Sequence, residues 1–243
     1  PEPQALVGRC EHVVMVPRTY AQLTRLLDSE HAGTDQYVEV IERDPGLAAR
    51  MLQLAGSAFF GVPRPVTTIA AAVTYLGTEI VRGLALAVHV FTRARTSVPR
   101  ARLEQLERRA LMTATLARRI AAPAQADSAF IAGMLTVIGE LVILDAPPPP
   151  TSALDPARVG AYLLGTWGLP LELVEAVGFH RRPSEVQHDG NGLVLAVHVA
   201  DALARTVATD PPVVDRAFLE RVGRVADLPR WQDLGARLER EVR

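Results

Sequence analysis

At 243 residues and a net charge of −1, the chain can bury a substantial core, and no global charge draws it to nucleic acid or a membrane surface. Nearly half of it is apolar (49%) and only 5% aromatic, with Ala, Leu, Val and Arg dominating, a balance that favours helix over sheet. The single cysteine, Cys10, excludes an internal disulfide and fits a reducing cytoplasm. Every basic residue except histidine is an arginine, which reads as a compositional bias of the genome before a functional choice.

The chain starts at Pro1 without Met, as expected of a fragment or a processed product. Residues 1–17 read as a lead-in. Thr19–Leu27 predicts a helix with Leu23, Leu26 and Leu27 inward, and Thr34 or Asp35 caps a second through Val38, Val40 and Ile41. Asp44 and Pro45 form a helix entry: the carboxylate accepts from the first free amides, and Pro at the first helical position gives up a donor that had no partner. Leu47, Met51, Leu54 and Ala55 give that helix one apolar face, which runs out near Ser57. Phe59 and Phe60 read as core anchors, and the Gly61–Pro65 corner follows. Thr67 or Thr68 caps a helix carrying Ile69, Val73 and Leu76, and Gly77 stops it. Thr78 caps another with Ile80, Val81, Leu84, Leu86 and Val88 inside.

Arg93–Pro99 reads as a hinge. Arg100–Ala122 predicts one long helix with Leu103, Leu106, Ala110, Thr113, Ala114, Ala117 and Ile120 inward. Asp127 or Ser128 caps a single helix, Phe130–Leu144. The most apolar run, Ala129–Leu144, is shorter than the roughly 20 residues of a membrane span and contains Glu140, so it reads as a buried helix. No signal peptide is visible. Pro147–Pro150 is a stiff connector. Pro156–Leu164 and Leu171–Phe179 are helices around a Trp167–Pro170 corner. Arg181–Asn191 is a polar loop carrying His188. Leu193–Val207 is apolar nearly all round and therefore central, and Pro211–Pro212 breaks it. Short helical patterns surround Phe218, Val222 and Leu234, and no segment has a trustworthy strand period.

Several blocks carry a resemblance. They are DPGLAARMLQLAGSAFFGVPRPVTTIAAAVTYLG with VRGLAL, then AFIAGMLTVIGELVI, VGAYLLGTWGLPLELVEAVGFHRRP and VHVADALA. Their order and spacing over roughly residues 12–207 resemble the HDOD domain, the HD-related output domain of bacterial signalling proteins. That family is a non-catalytic relative of the HD and HD-GYP phosphohydrolases. The resemblance implies an all-α, HD-domain-like multi-helix bundle in two packed lobes. One lobe runs to about residue 95 and an HD-like lobe spans about 100–207, with residues 208–243 a short helical extension.

In the catalytic superfamily, His and Asp side chains hold metals that activate water, because imidazole nitrogen and carboxylate oxygen are good donors to a divalent cation. The family's His-Asp pair aligns with Thr136 and Val137, neither of which replaces those donors. The earlier His position aligns with Arg109, whose guanidinium repels a cation. The position ahead of RVGAYLL, sometimes His in relatives, aligns with Pro156. His180, first of a His-His pair whose second member is Arg181 here, and Asp201 are the metal-type residues that survive. The resemblance therefore implies no catalytic residue, no metal and no cofactor.

Read for structure, His180 ends a helix and caps its carbonyls or bonds a buried acid, Asp201 being the candidate. His198, one turn before Asp201, is either that acid's partner or a satisfied core histidine. Arg93, Arg95, Arg100, Arg102, Arg108, Arg109, Arg118 and Arg119 crowd around only Glu104 and Glu107, either as an anion-binding or acidic-partner surface or as a solvated helix face. Leu76-Gly77-Thr78 imitates a helix-turn-helix, but its second helix offers buried-type residues rather than base-reading ones, which argues against nucleic acid. The expectation is a non-catalytic output module that works by contact with a signalling protein or a fused sensory or receiver domain. A nucleotide or cyclic dinucleotide in the remnant pocket is a weaker option. The alternative is a degenerate metal-dependent phosphohydrolase rebuilt around His180 and Asp201 with acids such as Asp127 or Glu140.

Overall fold

Side-chain caps at Asp44, Thr68, Asp155 and Asp215 start four of the described helices, and the helices are held together by packing on one another. A computed structural model describes residues 18–29, 32–60, 66–94, 98–145, 154–186, 192–205 and 213–242, the side chains of residues 93 and 94 excepted. No strand occurs among them. The helices are α1 (Arg18–Leu27), α2 (Thr34–Glu42), α3 (Pro45–Ala55), α4 (Ile69–Leu76), α5 (Thr78–Ala94), α6 (Arg100–Ile120), α7 (Ala126–Leu135), α8 (Ile138–Asp145), α9 (Pro156–Thr166), α10 (Leu171–Phe179), α11 (Gly192–Arg205), α12 (Arg216–Arg221) and α13 (Leu228–Glu241).

The entry to α3 follows the sequence. Asp44 accepts from the amides of Gly46 (3.0 Å) and Leu47 (3.1 Å), with Pro45 at the first position. Thr68, rather than Thr67, caps α4 by accepting from the Ala71 amide at 3.1 Å. Gly77 takes φ 84° and ψ 157°, a positive-φ extended conformation that a side chain rarely adopts. There the chain bends by 119° into α5. Thr78 is already helical, so the corner rests on Gly77 and not on a Thr78 cap. α2 differs from expectation too. Its cap is Gly33, whose amide donates to the Gln36 side chain, and its buried face is Tyr37 and Ile41, with Val38 and Val40 half-buried.

Helices α1–α5 pack on one another, and α6–α11 form a second group in which α7 lies against α6, α10 and α11. α5 joins the groups by packing on α7 and α8. All seven inward positions expected on α6 are buried, and so are Leu111, Met112, Thr115 and Leu116. α6 is therefore covered nearly all round over much of its length. α11 is buried continuously from Leu193 to Ala202.

The expected single helix over 130–144 is two helices. The chain breaks at Thr136–Val137 between α7 and α8. Glycines sit on either side. A Cβ at Gly133 would lie 2.7 Å from Ala114 Cα in α6, and one at Gly139 would overlap the Pro156 carbonyl oxygen of α9. The two halves thus dock on different helices. The apolar stretch is also longer than expected. Pro123–Asp145 spans 23 residues and qualifies by length and composition as a membrane span, but 72% of its most apolar window is buried inside the fold. It reads as core.

α13 is longer than the pattern around Leu234 suggested. It packs on α6 and α11 through buried Trp231 and Leu238. The connector at Pro147–Pro150, His188, the Pro211–Pro212 break, Arg95 and the Arg93 side chain lie outside the described residues.

Candidate functional site

The site lies where α6, α8, α10 and α11 meet. Four sequence-distant side chains converge through one carboxylate. Glu140, on α8, accepts from Arg102 through one oxygen and from Arg109 through the other, both on α6. Arg181, just past α10, stands 3.7 Å from the same carboxylate. Burial pushes the Glu140 carboxyl up, but Arg109, Arg102 and Arg181 outweigh it and hold it below the ordinary carboxylate range. One carboxylate thus serves three guanidinium groups and leaves an excess of positive charge.

Asp201 and His180 form the second half. Both are almost fully buried, at 3% and 1% exposure. The His180 Nδ1–H donates to the Val177 carbonyl at 2.6 Å, so the histidine does cap its own helix. Its Nε2 stands 3.7 Å from Asp201 Oδ2, beyond hydrogen-bond reach, and has no partner. Asp201 instead accepts from Arg205 Nε at 2.6 Å, one turn on along α11. Its other oxygen, Oδ1, is also without a partner.

Burial pushes His180 below its ordinary value. Asp201 pulls the other way, and the cations Arg181 and Arg205 add to the depression. Burial pushes Asp201 up, and its neighbours more than reverse this. The balance is a neutral His180 beside an ionised Asp201, because Arg205 already supplies the counter-charge. Arg181 is lowered by burial and by repulsion from Arg205.

His198 is a satisfied core histidine and not the partner of Asp201. Its Nδ1–H donates to the His180 carbonyl at 2.7 Å, and its Nε2 accepts from the Asp215 amide at 2.9 Å. Only the neutral ring can do both. Burial accordingly lowers its affinity for a proton. Phe218 meets the ring edge-on with centroids 6.1 Å apart.

Thr136 and Val137 are buried at the break ahead of α8, and neither presents a polar group to Glu140 or Asp201. The Thr136 hydroxyl donates back to the Gly133 carbonyl at 2.8 Å, and Val137 is core. The alternative set of acids does not assemble either. Glu140 is engaged by arginines, and Asp127 pairs with Arg118 at 3.0 Å. Among the described residues, no three His, Cys, Asp or Glu side chains are placed to hold a metal. The donors present, His180 and Asp201, face Arg205 with Arg181 and Arg109 close by, and this set does not fit a divalent cation.

The arginines of α6 divide into two ends. A 21-residue helix spans about 31 Å. Near its start Arg100 pairs with Glu104 at 2.8 Å, and Arg102, Arg108 and Arg109 line a cleft of about 960 Å³ with Arg205 and Glu140. Near its end Arg118 pairs with Asp127 and Arg119 lies 3.8 Å from Glu241. Glu107, expected to balance the cluster, pairs with Arg50 of α3. Sequence reading overlooked Arg205, although Asp201 and Arg205 at helical i,i+4 spacing are a readable pair. It met Arg181 and Glu140 only as a lost ligand and a spare acid.

A family model for the HDOD domain matches residues 13–156. The chain belongs to the HDOD domain family. No curated protein matches it. Among solved structures, an HDOD domain protein of unknown function from Geobacter sulfurreducens is 19% identical with a TM-score of 0.71, covering 94% of this chain and 89% of its own. A candidate phosphohydrolase from Shewanella amazonensis is 24% identical with a TM-score of 0.70, over 98% and 95%. A candidate signal transduction protein from Marinobacter aquaeolei is 22% identical with a TM-score of 0.65, and the HDOD chain spans 56% of its length. At these identities the likeness is one of fold. The all-α, HD-like architecture of this HDOD chain is shared by all three.

Proposed function

We propose that the chain is a non-catalytic regulatory module of bacterial signal transduction that acts in the cytoplasm through protein–protein contacts. The observation that carries this reading is the Glu140 and Asp201 network, in which Arg109, Arg181 and Arg205 surround the acid groups that a metal would need. In this reading Arg109, Thr136, Val137, His180 and Asp201 are the remnant positions of an HD-type site, with the charge that once belonged to metal now on guanidinium. Residues 12–207 are the HDOD unit and 208–243 its helical extension. The candidate signal transduction protein among the structural neighbours fits this role by analogy of fold alone.

The test is metal content and turnover of a cyclic dinucleotide on one sample purified without chelator. No stoichiometric metal and no turnover are expected. One or two metals per chain with metal-dependent hydrolysis would favour the second reading, a degenerate phosphohydrolase. The observation on its side is that His180 Nε2 and Asp201 Oδ1 both lack partners.

A further inference from the structure

The cleft beside Glu140 combines three properties. First, it is cationic. Arg102, Arg108, Arg109 and Arg205 line it against Glu140 and Glu239. Glu140 is already shared by Arg102 and Arg109, while Arg108 is exposed and has no ion pair among the described residues.

Second, its floor is apolar. Leu106 on α6, Leu203 and Ala204 on α11, and Ala236 on α13 face it. α13 lies against α11 here: a Cβ at residue 235 would sit in ordinary contact with Leu203, 3.6 Å from its Cβ.

Third, it is large and open. Its volume of about 960 Å³ lies at the top of the range that small-ligand sites occupy.

We infer that this cleft is the docking groove for an acidic, amphipathic peptide segment of a partner protein. Apolar side chains of the segment lie on the Leu203–Ala204–Ala236 floor, and its Asp or Glu side chains meet Arg108, Arg102 and Arg205 at the rim. Arginine suits this role because its planar fork binds carboxylates bidentately and sheds water more easily than an ammonium. Charge complementarity selects the occupant. A basic segment would meet a wall that already holds more guanidinium than carboxylate charge, and an uncharged one would leave Arg108 without a counter-charge. The inference rests on the regulatory reading and names the surface through which it works.

The experiment uses a fluorescent 12-residue peptide with Leu at helical spacing on one face and Glu on the other, with a Lys/Leu peptide of the same pattern as control. Binding to the full chain is followed by anisotropy at 50 and 300 mM salt. The acidic peptide should bind, the basic one should not, and affinity should fall about tenfold at the higher salt. Arg108→Glu should weaken binding about tenfold, and because Arg108 is exposed and holds no ion pair among the described residues, circular dichroism and thermal midpoint should stay unchanged. Arg119→Ala, at the far end of α6, should leave binding unaltered.

Equal binding of both peptides, or full affinity in Arg108→Glu, overturns the inference. So does displacement of the peptide by inorganic phosphate or AMP at concentrations below the peptide's own Kd, which would mark a small-anion site instead. A failed peptide test leaves the metal and turnover results untouched, so loss of the groove is distinguishable from loss of the regulatory reading.

Discussion

The α3–α5 corner and the α6–α8–α10–α11 junction are both well packed, but different forces hold them. At the corner, each helix end is satisfied by its nearest neighbours in sequence: Asp44 and Thr68 cap, and Gly77 turns. The interior there is apolar, from Leu47 and Met51 to Ile80 and Leu84. At the junction, buried charge is balanced across the chain, with Arg109 and Glu140 on neighbouring helices and Arg181 approaching from a third. A locally satisfied region can lose one part at a modest cost. A shared buried carboxylate cannot, because its loss strands several cations at once.

The comparison is broken most sharply at the glycines that let the junction assemble. Gly139→Ala puts a methyl into the Pro156 carbonyl, with backbone on both sides and no flexible side chain to give way. We expect a loss of about 3 kcal/mol or more in urea unfolding. A loss under about 1 kcal/mol would show that α8 and α9 are free to separate.

Next is Glu140→Gln, which leaves Arg109 and Arg181 without their counter-charge and should cost about 3 kcal/mol by the same measurement. Adding Arg109→Met should recover part of that loss. If the double variant is as unstable as the additive sum, the two residues do not act as a pair.

Acidification separates the regions without mutation. His180 and His198 are held below their ordinary 6.5 in the folded state, so the unfolded chain binds more protons once pH drops under that value. Their contribution is complete above pH 6.5 and is lost as pH falls through the folded values. Glu140 and Asp201, lowered from 4.5 and 3.8, add a further loss at lower pH. Urea midpoints at pH 7.5, 6.5 and 5.5 should fall below the first step. Hydrogen exchange should show the weakening at α10–α11 before α3–α5, and a flat profile would contradict the neutral-histidine assignment.

The smallest effect is expected at the corner. Asp44→Ala should cost about 1 kcal/mol in urea unfolding through loss of a cap.

The same contrast explains what could be read from the sequence. Asp44-Pro45, Thr68 and Gly77 act on residues within four positions, so their roles are written locally. The all-α class and the buried character of α6 and α11 follow from periodicity. The Arg109–Glu140 pairing spans 31 positions and has no local signature, so Arg109 looked like one member of an uncompensated cluster. The break at Thr136–Val137 was hidden for a similar reason. Ala129–Leu144 is apolar apart from Thr136 and Glu140, and what divides it is the docking of Gly133 on α6 and Gly139 on α9. His198 was undecided because its partners are the backbone of residue 180 and the amide of Asp215, neither of which the residue types reveal.

α5 touches both helical groups, and at Gly83 it has no side chain where α7 passes: a Cβ there would lie 2.5 Å from Ile131 Cγ1. The consequence is steric: the seam between the two helical groups is closed at this point by an α5 backbone lying directly against the Ile131 side chain, so any residue larger than glycine at position 83 would have to push Ile131 aside.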